Sequence, residues 1–422
     1  MTYVLKSSIR VIGLIILNLS VLACRFDKEK QIVEWDNNLT IEQNIARNTI
    51  SFQSNEDFSF LNEISKQRSA IILGESTHYD PSSSEIKIKM IDYLKNKGHY
   101  SLAMESTPFL TSYIFSNPEY KEITKEWKVE DFAPYLWLQQ DACKPLFEMI
   151  NNRKIKLWGI DVDLGIYDIV SAKAIIQRYA RISDIAWEKL DDLYLRKFVR
   201  YGYSNIKPLS VGEQYELMCI IDSLSDHTQY LISKNIDSND LYVLLQWIRV
   251  LNTSFSYVNR DIYPRKESDV ALHFRNRDSQ MAENILWIMD HFPKEKLIVW
   301  CANFHGAKDI SKTQYPTDSL LYFTYQSMGE GLYNKLRDKL YSLAITTLYV
   351  NEDDTKKEWG LLEQEINKIS NGSPFTYIDF EPLRFADGYR DKKFDCAVIK
   401  RKKGNWLHIF DGVYYINVYK YD

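Results

Sequence analysis

The stretch Ile72-Leu-Gly-Glu-Ser-Thr-His78 (ILGESTH) joins an apolar run to a pair of reactive side chains. The run SAIIL ends abruptly at Gly74, and a carboxylate, Glu75, and an imidazole, His78, follow three positions apart. A short apolar run bounded by glycine is typical of a strand inside a parallel sheet. Ligands of open α/β sheets bind beyond the carboxyl ends of the strands, so this stretch predicts both a fold and the place of its site.

Around this stretch the chain alternates short apolar runs with longer amphipathic ones. SSSEIKIKMIDYLKNKG predicts a helix with Ile86, Met90, Ile91 and Leu94 on one face. YSLAMES and IKLWGID predict two more strands, with a helix from TPFLTSYIF between them and another from about Asp168. Strand patterns return in KLIVWCAN, LLYFTYQS, KLYSLAITTLYV and FDCAVIKRK. The alternation predicts an α/β fold with a mixed, mostly parallel central sheet and helices on both faces.

Residues 170–292 interrupt this alternation with long helical patterns and almost no strand candidates. The patterns are SAKAIIQRYARI, EQYELMCIIDSL, NDLYVLLQWIRVLNTSF and RDSQMAENILWIMDHF. We therefore expect a helical subdomain inserted at 170–292, between a first part of the α/β domain at 55–169 and a second part at 293–422. Residues 1–23 are an expected signal peptide, and residues 24–54 an expected tether and lead-in.

The amino-terminal residues predict export and attachment to a membrane. Lys6 and Arg10 precede the apolar segment VIGLIILNLSVLA at 11–23, which is too short to be a comfortable transmembrane span. The segment ends in Val-Leu-Ala-Cys24, which resembles a bacterial lipobox, where cleavage before the cysteine exposes it for lipidation. The alternative is a plain amino-terminal anchor. Either interpretation predicts a cell-envelope protein held at a bacterial membrane.

The composition excludes several classes of protein. The chain has 422 residues, of which 45% are hydrophobic, and its net charge of -4 provides no basic field for nucleic acid. Beyond Cys24, the cysteines show no CxxC spacing, so zinc-ribbon and thioredoxin-type sites are not indicated. They are Cys143, Cys219, Cys301 and Cys396. Export would permit a disulfide, but buried free thiols are the simplest interpretation of Cys143 and Cys301.

Four predicted strands end in polar side chains that do not suit a core. They are Glu75 and His78, then Glu105, then Asp161 and Asp163, and finally Asn303 and His305. Each has a structural interpretation, such as a turn residue, a helix cap or a partner of a helix dipole. Their coincidence at four strand ends favours a shared site. Two histidines with nearby carboxylates leave a metal site open as an alternative.

The ordered series of motifs resembles the erythromycin esterase family over roughly residues 55–400. Gly74 to His78 matches the family's G-E-x-T-H, Lys87 stands where members often carry arginine, and Glu105 ends the next strand. The later matches are Gly159-Ile160-Asp161, Arg277-Asp278 through Asn284, Trp300 through Asn303 to His305, and Met328-Gly329. Antibiotic-hydrolysing members commonly carry a histidine directly before this asparagine, where the present chain has Ala302.

The resemblance implies hydrolysis of a small-molecule ester or macrolactone, without metal or cofactor, and a role in antibiotic resistance. His78 is the expected general base, and Glu75 or Glu105 would hold its tautomer. His305 and Lys87 are expected to polarise the substrate carbonyl. The expected substrate contacts are Asp161, Asn303 and Glu85.

Other functions remain open at this level. No G-x-S-x-G elbow occurs, which disfavours a standard serine esterase. One alternative is a diverged lipoprotein that binds a small molecule without turning it over. Another is a metal-dependent hydrolase that uses the same strand ends.

Overall fold

The structure is a computed structural model that describes most of the chain after residue 34. The described residues are 35–99, 101–133, 135–179, 185–194, 209–234, 236, 238–258, 267–313, 326–347, 360–370, 373–396, 398–399 and 402–417. The expected signal peptide, Cys24 and most of the LLYFTYQS pattern lie outside these residues. None of the described helices is long and apolar enough to cross a membrane.

Eight of the described strands form one sheet. They are β1 (Thr49–Phe52), β2 (Ala70–Leu73), β3 (Ser101–Met104), β4 (Lys156–Gly159), β5 (Leu297–Trp300), β6 (Leu340–Thr347), β7 (Phe375–Asp379) and β10 (Gly412–Ile416). Their spatial order is β1-β7-β10-β6-β2-β5-β3-β4. The strands from β10 to β4 pair in parallel, whereas β7 pairs antiparallel with both of its neighbours. The predicted mixed, mostly parallel sheet is confirmed. Two further strands, β8 (Phe394–Cys396) and β9 (Lys402–Gly404), form a small antiparallel pair.

Helices cover both faces of the main sheet. Those before β5 are α1 (Ile41–Ala46), α2 (Leu61–Gln67), α3 (Pro81–Lys95), α4 (Phe109–Ser116), α5 (Lys121–Thr124), α6 (Tyr135–Leu138), α7 (Lys144–Asn151), α8 (Asp168–Tyr179), α9 (Trp187–Asp191), α10 (Val211–Ser233), α11 (Asn239–Val258) and α12 (Glu267–His291). Those after β5 are α13 (Asn303–Gly306), α14 (Met328–Leu336), α15 (Leu361–Ile369), α16 (Phe380–Phe385) and α17 (Trp406–Ile409). Short 3₁₀ turns occur at Pro118–Tyr120, Val129–Asp131, Asp141–Cys143, Ile310–Lys312 and Arg337–Lys339.

The central strands are buried on both faces, because successive side chains point to opposite sides of the sheet. Ile72 and Val299 pack into a cluster with α4 and the helices α8 to α12. Ile71, Leu73 and Ile298 pack into a second cluster with α3 and α7. Fully buried parallel strands read as continuous apolar runs, which is why these strands were predictable.

The described residues of the segment between β4 and β5 form helices joined by turns and loops, with no strand among them. It supplies α8 to α12, and its apolar side chains join the cluster that covers one face of the sheet. Asp168 opens α8, the position at which the sequence pattern predicts a helix. The division of the chain at residues 170 and 292 stays a prediction.

The cysteines in the described part of the chain are free thiols. Cys143, Cys301 and Cys396 are buried, whereas Cys219 is exposed on α10. The predicted burial of Cys143 and Cys301 is confirmed.

Candidate active site

The order β2-β5-β3 places the carboxyl ends of three parallel strands side by side. Glu75 follows β2, Glu105 follows β3, and α13 after β5 carries His305. The N–H of Asn303 donates to the Glu75 carbonyl at 2.7 Å, and the N–H of Glu105 donates to the Trp300 carbonyl at 3.0 Å. These two backbone hydrogen bonds extend the pairing between neighbouring strands beyond the ends of β2, β3 and β5. They bring together side chains that are far apart in the sequence.

Glu75 is the centre of a first cluster. Its Oε1 lies 2.6 Å from Nδ1 of His78, and its Oε2 accepts from Nζ of Lys87 at 2.9 Å. Glu75 and Lys87 are 1% and 0% exposed, whereas the His78 side chain remains 28% exposed. The Lys87 ammonium lies 3.9 Å from the centroid of the Trp300 ring and donates to the Cys301 carbonyl at 3.4 Å. Lys87 is therefore buried behind Glu75 and has no contact with solvent. Its charge acts on the partly exposed His78 through Glu75.

His78 is held from its other side by residues at and after α6. The Gln140 amide donates to the His78 backbone carbonyl, and the Trp137 ring stands edge-on at a centroid distance of 5.7 Å. Burial lowers the pKa of His78, but the hydrogen bond to Glu75 and the charges of Glu105 and Glu75 outweigh it. The pKa of His78 therefore lies above its ordinary value of 6.5. Because Nδ1 is occupied by Glu75, Nε2 is the nitrogen that can accept a proton.

Arg277, on α12, is the centre of a second cluster. Its Nε donates to Asp161 at 2.9 Å and its Nη2 donates to Glu105 at 3.0 Å. Asp161 also accepts from Nη2 of Arg277 and from the N–H of Ser106, while Glu105 accepts from the N–H of Ala302 at 2.8 Å. Burial lowers the pKa of Arg277, but Asp161 and Glu105 hold it well above its usual range. The guanidinium is fixed and permanently charged, with 14% of the side chain exposed.

His305 joins the second cluster between two carboxylates. Its Nδ1 lies 2.6 Å from Oδ1 of Asp278, and its Nε2 lies 3.2 Å from Oε1 of Glu105. Burial lowers the pKa of His305, but Asp278 and Glu105 raise it to about 10. Burial likewise raises the pKa of Glu105, but His305 and Arg277 bring it well below its usual range. At neutral pH His305 is therefore a cation that donates to both carboxylates, and Glu105 stays ionised.

Asn303 does not present its side chain to the cleft. Its amide donates to the backbone carbonyls of Ile345 and Val398, both at 3.0 Å, and the residue is 1% exposed. A Cβ on Gly74 would lie 2.1 Å from the Asn303 Oδ1 atom, which explains why glycine follows β2 here. The Asn303 side chain thus connects α13 to the backbone at Ile345 and Val398. Its buried amide does not lie where it could make the predicted contact with a substrate.

Glu85 lies away from both clusters. It accepts from the Asn55 amide at 3.1 Å and pairs with Lys89 at 3.1 Å on α3. Asp161 is in the second cluster, but it is 0% exposed and its oxygens face Arg277 and backbone N–H groups. The structure therefore brings Glu75, His78, Glu105 and His305 to one edge, with Asp161 behind Arg277.

Two functional residues were quoted in a sequence motif but given no role, namely Arg277 and Asp278. They lie on α12, whose side chains reach the sheet edge from a helix rather than from a strand end. A search confined to strand ends misses such residues. The Arg-Asp pair at the start of the helical pattern RDSQMAENILWIMDHF was the available signal, because charged side chains that become buried require partners.

Within the described ranges, no group of three or more His, Cys, Asp or Glu side chains is arranged to hold a metal ion. The Arg277 guanidinium lies between the Glu105 and Asp161 carboxylates and supplies positive charge at that position.

The chain is similar in sequence to a Bacillus subtilis protein and similar in fold to several solved structures. "Putative hydrolase YbfO" of Bacillus subtilis (strain 168) is 23% identical over 329 residues, which cover 74% of this chain and 71% of that protein. A Bacillus cereus protein of known crystal structure superposes with a TM-score of 0.65 at 14% identity, over 91% of this chain and 98% of that one. A mutant of the erythromycin esterase EreC in its open conformation superposes with a TM-score of 0.61 at 14% identity, over 89% and 98%.

These structural neighbours share the fold of the chain, and the hydrolase name of the Bacillus subtilis relative is consistent with a hydrolytic site. A sequence model of the family described as Erythromycin esterase matches residues 125–360, which is more than half of the chain. The protein therefore belongs to the erythromycin esterase family.

Proposed function

We propose that the protein hydrolyses a carboxylic ester or lactone bond of a small molecule with water activated by His78. Family membership and the hydrolase relative support a hydrolase. The observation that carries the finer proposal is the buried Glu75 carboxylate, which holds a partly exposed imidazole at 2.6 Å. This is the geometry of a base whose tautomer is fixed by a second group.

In the proposed mechanism the Nε2 atom of His78 takes a proton from water as the water oxygen attacks the carbonyl carbon. A tetrahedral intermediate forms with a negatively charged oxygen. Its collapse breaks the bond to the leaving alcohol oxygen, which receives the proton from His78. Glu75 keeps the Nδ1 proton in place and stabilises the imidazolium between these two transfers.

The second cluster contains a cation that can donate hydrogen bonds to the tetrahedral intermediate. Arg277 is its most exposed cation, and the cationic His305 lies beside it, 3.1 Å from Nη1 of Arg277 to Nε2 of His305. Fixed cations at a developing oxyanion cost no reorganisation during the reaction. Arg277, supported by His305, takes the role that the sequence assigned to Lys87 and His305. Lys87 becomes a positioning residue because it is buried behind Glu75.

A panel of small-molecule esters and macrolactones, assayed with wild type and His78→Ala, tests the proposal. Loss of the general base should lower kcat by about 100- to 10,000-fold. His291→Ala is the matched control, because His291 is an exposed histidine at the end of α12. A folded His78→Ala protein that keeps the wild-type rate would rule out the mechanism.

The same panel separates turnover from binding. A ligand that raises the melting temperature needs only affinity for the native state. If wild type turns over none of the compounds but one of them stabilises it, the diverged binding lipoprotein is the better description. Hydrolysis of macrolactones by wild type would in turn support a role in antibiotic resistance.

We further propose that the mature chain begins at a lipidated Cys24 and is held at a bacterial membrane. The supporting pattern is the basic start, the short apolar segment and the Val-Leu-Ala-Cys24 sequence. Intact-mass measurement of protein extracted from membranes, compared with Cys24→Ser, tests this. Wild type should lack residues 1–23 and carry the mass of attached acyl chains. An unmodified residue 24, or a retained leader, would contradict lipidation.

A further inference from the structure

A small cavity lies between the 3₁₀ turn at Ile310–Lys312 and the helices α14, α16 and α17. Its volume is about 250 Å³, below the range of roughly 300–1,000 Å³ that is usual for sites of drug-sized ligands. The cavity is lined by Lys308, Asp309, Lys312, Glu330, Tyr333, Asn334, Arg337, Arg384 and His408. None of the residues of the proposed catalytic clusters is among them.

Two of the lining cations are deeply buried and share a single carboxylate. Lys308 and Arg384 are 2% and 9% exposed, and both donate to Oδ1 of Asp411. Arg384 also donates to the carbonyls of Leu407 at 2.6 Å and Phe410 at 3.0 Å, which fixes its guanidinium. Lys308 and Arg384 thus share Asp411 as their hydrogen-bonded carboxylate, and the charge of Glu381 also acts on both. Burial lowers the pKa of Lys308 to about 8, Asp411 opposes this shift, and Arg384 adds to it.

Two more cations stand closer to the mouth of the cavity. Lys312 is half-exposed and lies 3.9 Å from the Asp309 carboxylate, and Arg337 lies over the Tyr333 ring at 5.2 Å. The lining carboxylates are Asp309 and Glu330. Burial and the charge of Asp309 raise the pKa of Glu330, which eases its protonation. The lining therefore carries four cationic side chains, Lys308, Lys312, Arg337 and Arg384, and two carboxylates.

His408 adds a buried nitrogen atom to the lining of the cavity. Its Nε2 atom is buried and has no hydrogen-bond partner in the described part of the chain. A buried polar atom of this kind requires an explanation, because burial removes its hydrogen bonds to water and nothing in the described residues replaces them. An oxyanion whose oxygen accepts a hydrogen bond from the Nε2–H group would satisfy it. Such a ligand would also offer several oxygen atoms to the surrounding ammonium and guanidinium groups.

We infer that this cavity is a binding site for a small oxyanion of the phosphate class. The inference rests on the size of the cavity, the shared Asp411 carboxylate and the unpartnered His408 nitrogen. It does not depend on the proposed hydrolysis, because it uses none of the same residues. The phosphate group could belong to inorganic phosphate or to a small phosphomonoester, since both present the same oxygens to the cavity.

Calorimetric titration of the full-length mature protein tests the inference at constant ionic strength. The ligands are inorganic phosphate, sulfate and glycerol phosphate, with chloride as the reference anion. We expect phosphate or glycerol phosphate to bind and to raise the melting temperature beyond the effect of chloride. Whichever of the two binds more tightly identifies free phosphate or a phosphomonoester as the source of the group. If neither binds better than chloride, the inference is wrong.

Substitutions of exposed residues should leave the fold intact, so they test phosphate binding separately from folding. Arg337→Gln and Lys312→Gln each remove one cation at the mouth, and each should weaken phosphate binding by about tenfold. Lys335→Gln is the matched control, because it removes an exposed lysine of the same helix α14 that does not line the cavity. Equal weakening by all three substitutions would show a diffuse charge effect and would overturn the site.

Discussion

Glu75 binds two groups of different function with its two oxygens. One oxygen faces the His78 imidazole and the other faces the Lys87 ammonium. The carboxylate is buried, so its negative charge is little screened by solvent and acts strongly on both partners. At the scale of the residue, this single side chain sets both the proton affinity of the proposed base and the balance of charge beneath the cleft.

The first prediction concerns the pH dependence of hydrolysis. The reaction needs neutral His78, so kcat/KM should rise with pH through the pKa of His78 in the free enzyme. Glu75 and Glu105 raise that pKa, so the midpoint of the rise should lie above 6.5. Glu75→Gln should move the midpoint to lower pH, because it removes a charge that favours the imidazolium.

Glu85→Gln on α3 is the control for this experiment, since Glu85 lies away from the cleft. Its midpoint should equal that of wild type. A wild-type midpoint at or below 6.5 would show that burial outweighs the carboxylates and that the assigned direction is wrong.

The second prediction concerns the stability of the buried ion pair. Lys87→Met removes the ammonium and leaves Glu75 as an uncompensated buried charge, which should lower the free energy of unfolding by about 3–5 kcal/mol. Lys89→Met, on the same helix, breaks a half-exposed pair with Glu85 and should cost about 0–1 kcal/mol. Urea unfolding of both variants measures the difference. Equal losses would mean that the Lys87 pair contributes no more than a surface pair.

At the scale of the element, α14 supports the second cluster from behind. Its first residue, Met328, donates its N–H to Oδ2 of Asp278 at 2.9 Å, while Oδ1 of Asp278 faces His305. The helix approaches α13 closely, because Gly329 has no side chain. A Cβ at that position would lie 2.4 Å from the Gly306 carbonyl oxygen and 2.6 Å from that of Ala307.

The third prediction follows from this close approach. Gly329→Ala must push α14 away from backbone atoms that cannot move aside, so it should destabilise the protein by about 1–3 kcal/mol. It should also lower kcat, because the displaced helix no longer fixes Asp278 and His305. Urea unfolding and the ester assay measure the two effects.

Gly212→Ala provides the comparison, because a Cβ there would meet nothing within 4 Å. This substitution in the first turn of α10 should leave kcat unchanged. It should be neutral or stabilising, by up to about 1 kcal/mol, through the unfolded state. A Gly329→Ala protein as stable and active as Gly212→Ala would show that α14 does not position the site.

At the scale of the whole molecule, the second cluster makes stability depend on pH. The pKa of His305 is raised from 6.5 to about 10. The stabilisation from its charge is therefore complete below pH 6.5 and is lost as pH rises towards 10. Lys308 has the opposite effect on stability. Because its pKa is lowered to about 8 in the folded protein, its contribution makes the protein more stable as pH rises above 8. His78 also titrates above pH 6.5, so between pH 6.5 and 8 the effect of His305 is measured as the difference between wild type and a variant that lacks it.

The fourth prediction is a loss of stability with rising pH inside this window. Wild type should lose about 1 kcal/mol per pH unit more than His305→Gln, which has no titrating group at that position. Urea unfolding midpoints at several pH values measure the slopes. His291→Gln, which removes an exposed histidine, should follow wild type. Parallel slopes for wild type and His305→Gln would contradict the raised pKa.

The central strands and the convergence of Glu75, Glu105 and His305 were predictable from the sequence. Their apolar runs are continuous, and strand ends in parallel sheets have a known place. The strands β1, β7 and β10 were not predicted. FTYID and TISF mix polar with apolar residues at the antiparallel end of the sheet, and their partners lie far away in the sequence. The role of Arg277 was missed for a similar reason, because its partners Glu105 and Asp161 belong to distant strands.

The position of β5 between β2 and β3 has a consequence for how the chain folds. Both flanking strands are synthesised long before β5, which follows the whole segment from α8 to α12. A nascent chain therefore holds two apolar strand edges whose correct partner does not yet exist. Direct pairing of β2 with β3 would be a kinetic trap, and contacts of such long sequence separation form slowly. Pairing that waits for the synthesis of β5 avoids this trap, so early termination upstream of residue 297 should yield aggregation rather than a partial enzyme.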